Sequence, residues 1–460
     1  LRSHPLKDYD RVGRKELHMN RREWMAGAGA MALTACNQEA PVAAPPAATA
    51  LTVPSGDPFA GAKLMADVEA YVGFGTHRTG SAGDVSTSDW FAKRWKELGY
   101  EIEQTEFSAP NADTTVARLR IGSEAFGGFA QPPLSFTPEG GVNAPLAWWN
   151  DKSAADVSGK IALVHIPREP GAMAPSAAYR AIFEKCSLAG ALGVVAVMSG
   201  PTGEVVAINT PVEMLLELPV LQIGEKDKVR LDAAIATKQP GNLTIEGPGG
   251  FRNGKNTIAR RGTTGPWVII STPQSGWFTC GGERGPGIAI SRALSEWAVT
   301  TKFPVRWLFI ATSGHEWTDF GAHMFHKNQA PDPKDTALWW HLGASFGARA
   351  YSETPTGLVA QDTPNQLRTL MATPDLIPLI EAAFAGQSPI DKPLTSDVTK
   401  ALGEYRLVAE EGYPTAAGFW GGNAHFHTPI DTATATTPDI MEPIARAIAK
   451  VIETRLAAIK

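Results

Sequence analysis

Ser313-Gly314-His315-Glu316-Trp317 sets a histidine beside a glutamate. An imidazole titrates near neutral pH and can move a proton or bind a metal, and a carboxylate can do either. Just before the pair, Val305 to Ala311 is a short apolar run that reads as a buried parallel strand. Just after it, Thr318 to His326 reads as the start of a helix. The pair therefore falls where a strand ends and a helix begins, which is where open α/β sheets bind their ligands. A surface acid beside a core histidine fits the same stretch, and the residues alone leave both readings open.

The elements that would carry such a site alternate along the chain. Pro58 to Phe74 spaces Phe59, Leu64, Val68 and Tyr71 as one helix face, and Ser86 to Leu98 reads as a second helix stopped by Gly99. Tyr100 to Phe107 alternates as a strand. From about Ser108 the composition shifts to short strands with few helices, among them Lys160 to Val164, Gly193 to Met198 and Leu218 to Ile223. Strand–helix alternation resumes near Asn256-Thr257-Ile258-Ala259 and runs to a closing helix, Pro438 to Ile459, with Ile440, Ile444, Ile448 and Ile452 on one face. This pattern predicts a mostly parallel sheet covered on both faces, interrupted by an inserted domain.

With 460 residues the chain has room for two or three domains. Charged residues at 19% and hydrophobic ones at 43% are those of a globular protein, and a net charge of −5 points away from nucleic acid as a partner. Met19 is a plausible start, followed by Arg21-Arg22, a short apolar run Ala26 to Ala32 and Leu33-Thr34-Ala35-Cys36. The twin arginine resembles an export signal and the Leu-Thr-Ala-Cys run resembles a lipobox, which would make Cys36 a lipidated first residue anchored in the bacterial envelope. A disordered tail that contains Arg-Arg and Cys is the plainer alternative. Asn37 to Ser55 is rich in Ala and Pro and reads as a tether. Cys186 and Cys280 remain, too differently placed for a disulfide framework.

The order of segments resembles the bacterial zinc aminopeptidases and glutamate-carboxypeptidase-like peptidases whose chain carries an inserted protease-associated domain. His77-Arg78-Thr79-Gly80-Ser81 is similar to their N-terminal segment, Ser158 to Ile223 to the inserted domain, and Phe426-His427-Thr428-Pro429 to their final His-Thr loop. The resemblance covers nearly all of 57–460. It implies an α/β zinc-exopeptidase-like domain from 57–107 and 252–460 and a β-rich protease-associated domain over 108–251. Residues 1–36 would be upstream residues and export signal, and 37–56 the tether.

The resemblance also implies which residues to inspect. The family holds two zinc ions, and several of its ligand positions depart here. One metal's own ligands fall on Thr272 and Gly343, the bridging acid on or near Glu283, the paired acids on His315-Glu316 and the final histidine on His427. Glu283, Glu316 and His427 would then hold a single zinc ion, with His315 as the base. Glu404 falls where the family carries an acid facing the substrate, and His341 reads as a core histidine beside Trp339 and Trp340. The expected function is hydrolysis of peptide or related amide bonds in a small substrate. A metal-free relative that only binds a ligand is the alternative, and a Cys280 nucleophile is the third.

Overall fold

Eight strands form one sheet: β1 (Glu101–Pro110), β2 (Phe251–Arg261), β3 (Trp267–Pro273), β4 (Arg306–Thr312), β5 (Thr336–His341), β6 (Arg368–Ala372), β7 (Leu394–Thr395) and β8 (Ala416–Gly421). Their spatial order is β1-β2-β4-β3-β5-β8-β6-β7. The four central strands β4, β3, β5 and β8 run parallel. The flanking pairings of β2 with β1 and β4, and of β6 with β8, are antiparallel. This computed structural model describes residues 56–168, 179–212, 218–355 and 357–458. The twin arginine and Cys36 lie outside the described residues.

The central strands are apolar at consecutive positions because both faces are covered. Val268, Ile270, Phe309 and Ala311 point to one face, where they meet α1 (Gly61–Gly73), α2 (Ala82–Glu97), α3 (Gly285–Ala298), α5 (Ile377–Ala383) and α7 (Pro438–Ala457). Ile269, Leu308 and Ile310 point to the other and pack on Phe325 of α4 (Phe320–Asn328) and Tyr405 and Val408 of α6 (Tyr405–Glu410). The alternation is the strand period of two, and it places a hydrophobic layer on each side. α7 buries Ile440, Ile444, Ile448, Val451 and Ile452, the helical spacing visible in the sequence.

Strands between 116 and 246 stay out of this sheet. They build a four-stranded sheet and a five-stranded sheet of their own, with Leu119, Leu163, Val195 and Leu243 packed together. β1 and β2 pair from Glu101↔Arg260 to Pro110↔Phe251, so the segment leaves and re-enters the large sheet on adjacent strands. The compositional boundaries near Ser108 and Phe251 fall within those two strands, because backbone pairing continues past the change in side chains. A hairpin, Arg349–Thr354 with Gly357–Pro364, was not legible as strands. It is largely exposed, so no hydrophobic alternation marks it.

Candidate active-site cleft

β4 ends at Thr312, and a single 3-10 turn, His315–Trp317, precedes α4. The chain enters the turn through Gly314 (φ 82°) and leaves it through Thr318 (φ 55°) and Asp319 (φ 61°). Two successive non-glycine residues in the left-handed region cost on the order of 1–2 kcal/mol each, a kind of strain that gathers at functional sites. The double step folds Asp319 back onto the turn. Its Oδ1 lies 2.8 Å from His315 Nδ1.

Glu404, immediately before α6, adds Oε1 at 3.5 Å from the same nitrogen. Its other oxygen accepts a hydrogen bond from the Thr312 hydroxyl at 2.7 Å. One ligand atom from each of His315, Asp319 and Glu404 lies within 4.8 Å of the other two, and all three residues are buried. His315 Nδ1 and Glu404 Oε1 have no well-directed hydrogen bond among the described residues. Burial and the Arg284 charge push the His315 pKa down, but Asp319 and then Glu404 outweigh them and lift it to about 9. Without a metal the ring is therefore an imidazolium at neutral pH, a poor general base.

Glu283 and His427 lie side by side. His427 Nε2 is 3.1 Å from Glu283 Oε1, and Nδ1 is 2.8 Å from the Ala207 carbonyl. Glu316 does not join them. Its carboxylate accepts from the Thr79 amide at 2.7 Å, the Thr79 hydroxyl at 3.1 Å and the Ser275 hydroxyl at 2.6 Å. Both oxygens are thereby satisfied, and Glu283, Glu316 and His427 form no metal-sized group among the described residues.

Arg284 takes a place beside Glu283 that the sequence reading missed. Its Nη2 lies 2.8 Å from Glu283 Oε1, and its Nε donates to the Ser275 carbonyl at 3.1 Å. Burial raises the Glu283 pKa, but Arg284 and then His427 hold it well below the usual carboxylate range. The signal was present in Gly281-Gly282-Glu283-Arg284-Gly285, a cation beside an acid at the start of a buried helix.

A cavity of about 290 Å³ is lined in part by Arg284, His315, Asp319, His341, Glu404 and Trp420. His341 is thus a wall of the cleft as well as the end of β5. Its Nδ1 is 2.9 Å from the Ser271 hydroxyl, and burial lowers its pKa to about 3, so it stays neutral. The segment around Ala207–Thr210, from the middle of the chain, also reaches the site. Asn209 lines the cavity and accepts from Trp277 Nε1 at 2.8 Å, and the Thr210 amide donates to the Glu316 carbonyl. His326 is stacked on Trp339 with its ring nitrogen 3.0 Å from Glu411. Cys280 is buried, and burial pushes its thiol well above the usual range, which removes the thiolate that a nucleophile needs.

Among the described residues, Thr272 and Gly343 offer no free ligand atom for a second zinc ion. The Thr272 hydroxyl donates to the Leu342 carbonyl at 3.0 Å, and any side chain at Gly343 would run into the Phe419 carbonyl. One ion does fit. Imidazole and two carboxylates are zinc donors, and here they converge with two of their buried atoms lacking a well-directed hydrogen bond.

Several solved structures share this architecture. An aminopeptidase from Aneurinibacillus sp. strain AM-1 is 17% identical, with 86% of this chain and 93% of that one covered and a TM-score of 0.57. BSAP, a zinc aminopeptidase from Bacillus subtilis, is 14% identical, with 87% and 96% covered and a TM-score of 0.66. The chain has the zinc-aminopeptidase fold. A peptidase precursor from Shewanella amazonensis is 16% identical, with 86% and 96% covered and a TM-score of 0.65. No known family profile matches the sequence, and no curated protein does. At these identities the likeness is one of fold, and the chemistry rests on the cleft.

Proposed function

We propose that the cleft hydrolyses amide bonds of small peptide-like substrates with one zinc ion, held by His315, Asp319 and Glu404. The observation that carries this reading is the convergence of those three buried donors at the carboxyl end of a central strand. When bound, zinc supplies a Lewis acid and lowers the pKa of a coordinated water. The chain supplies the rest. Thr312 and the strained turn fix the donors before any ligand arrives. Neutral His341 presents an imidazole to the cleft, suited to hydrogen-bonding a substrate carbonyl, and Trp420 gives an apolar wall. Zinc binding requires loss of the His315 proton, so affinity falls in acid.

A metal-free, ligand-binding relative of the same fold is the second reading. It is favoured by Arg284, a buried cation on the wall of the same cavity that opposes a second positive charge. The expected layout around the cleft is an inserted protease-associated domain over 108–251 and an exported chain tethered through a lipid on Cys36.

The discriminating experiment offers a dipeptide and aminoacyl-anilide panel to the purified full chain, with zinc added or removed by a chelator. Zinc-dependent release of amine supports the hydrolase. A chain that binds no zinc and cleaves no member of the panel favours the second reading.

A further inference from the structure

We infer that the cleft recognises a ligand carboxylate through Arg284, so that its substrates or ligands carry a free acid group next to an apolar side chain. The inference rests on the reading of this cavity as the ligand site, and it holds whether or not the ligand is cleaved.

Arg284 is 1% exposed. Burying a guanidinium is costly unless its donors are met. Nε is met by the Ser275 carbonyl, and Nη2 lies against Glu283. Nη1 has no hydrogen bond among the described residues, and that of Nη2 is poorly directed. The side chain forms part of the cavity wall. An arginine fork with open N–H groups on a cavity is matched by a flat, singly charged oxyanion that can accept two bonds.

The rest of the cavity narrows the class. Phe419, Trp420 and Phe426 give it an apolar side, suited to an aromatic or aliphatic group beside the acid. Asp319 and Glu404 line the same space, each beside His315, and they penalise a multiply charged anion such as phosphate. Glu283 is already shared between Arg284 and His427, so the guanidinium is not fully neutralised by one acid.

The test is equilibrium binding, followed by tryptophan fluorescence and calorimetry on the full chain. The probes are N-acetylphenylalanine, its neutral amide and inorganic phosphate, each with and without prior chelation of metal. We expect the acid to bind about tenfold or more tighter than the amide, in both metal states, and phosphate to bind more weakly than the acid. Arg284→Lys keeps charge but loses the fork and should cut the acid preference several-fold. Arg284→Met should bring acid and amide within about twofold. Equal affinity of acid and amide in the wild type overturns the inference without any variant, as does a preference that survives Arg284→Met. An acid preference that disappears on chelation assigns the contact to metal and also overturns it. Because no turnover is read, failure of the hydrolase reading leaves this result interpretable.

Discussion

The Nδ1 atom of His315 stands 2.8 Å from the carboxylate of Asp319, four residues further along the chain. In a regular helix this spacing would be ordinary. Here a 3-10 turn and two left-handed residues make the contact, and both side chains face a cavity.

The strain in that turn is measurable. Thr318 is β-branched and sits at φ 55°. Thr318→Gly should raise stability by about 0.5–1 kcal/mol, since glycine tolerates this region despite its larger loss of chain entropy. Denaturant unfolding of the two proteins checks it, and a clear loss of stability in the variant would remove the strain argument.

Glu316 should behave as a structural acid. Its bonds to Thr79 and Ser275 tie the loop before α2 to the end of β3. Glu316→Ala should cost about 1.5–3 kcal/mol, the range for buried hydrogen bonds to a charged group. Metal content should be unchanged. Thermal melts with elemental analysis would read both, and a variant of normal stability that had lost its metal would restore Glu316 as a ligand.

Acid should weaken the fold through His77. The ring is stacked on Tyr71, and burial lowers its pKa from 6.5 to about 4. Between those values the unfolded chain binds the proton and the native chain does not, so stability rises with pH. The contribution is complete above about pH 6.5 and falls away as pH drops toward 4, by roughly 3 kcal/mol in all. Unfolding free energies at pH 7 and pH 4.5 for the wild type and His77→Asn test this. A pH dependence that is equally steep in both proteins would assign the effect to other groups.

Packing beneath Glu404 should matter to the site. A side chain at Gly418 would press into the ring of Tyr405, the residue after Glu404. Gly418→Ala should destabilise by about 1–3 kcal/mol through overpacking and weaken metal binding by displacing Glu404. Unfolding and zinc titration together check it, and unchanged zinc affinity would mean that Glu404 is held independently of α6.

Much of the fold was legible in residues that bury two faces at once. The runs Val268–Ile270 and Leu308–Ile310, with the helical stripe of α7, announce a covered parallel sheet. His315 was legible as a place because it stands at the end of a strand, and Glu283, Glu404 and His427 through the resemblance to the zinc peptidases. Their grouping was not. Asp319 reaches His315 only through a backbone step that no glycine marks, and Glu316 is claimed by Thr79 from a loop 237 residues away in sequence. Asn209 joins the site from a segment whose strands belong to other sheets. Sequence spacing reports local periodicity, whereas the first relationship depends on a local left-handed step and the other two on how distant segments close on one another.

Zinc stoichiometry in four proteins tests the site assignment most directly: wild type, His315→Ala, Asp319→Ala and Glu316→Gln, each purified with zinc present and measured by elemental analysis beside calorimetric titration. With this site, about one tightly bound ion is expected in the wild type and in Glu316→Gln, and largely abolished binding when His315 or Asp319 is removed. No zinc in the wild type would contradict the assignment. So would an ion that survives Asp319→Ala and is lost in Glu316→Gln.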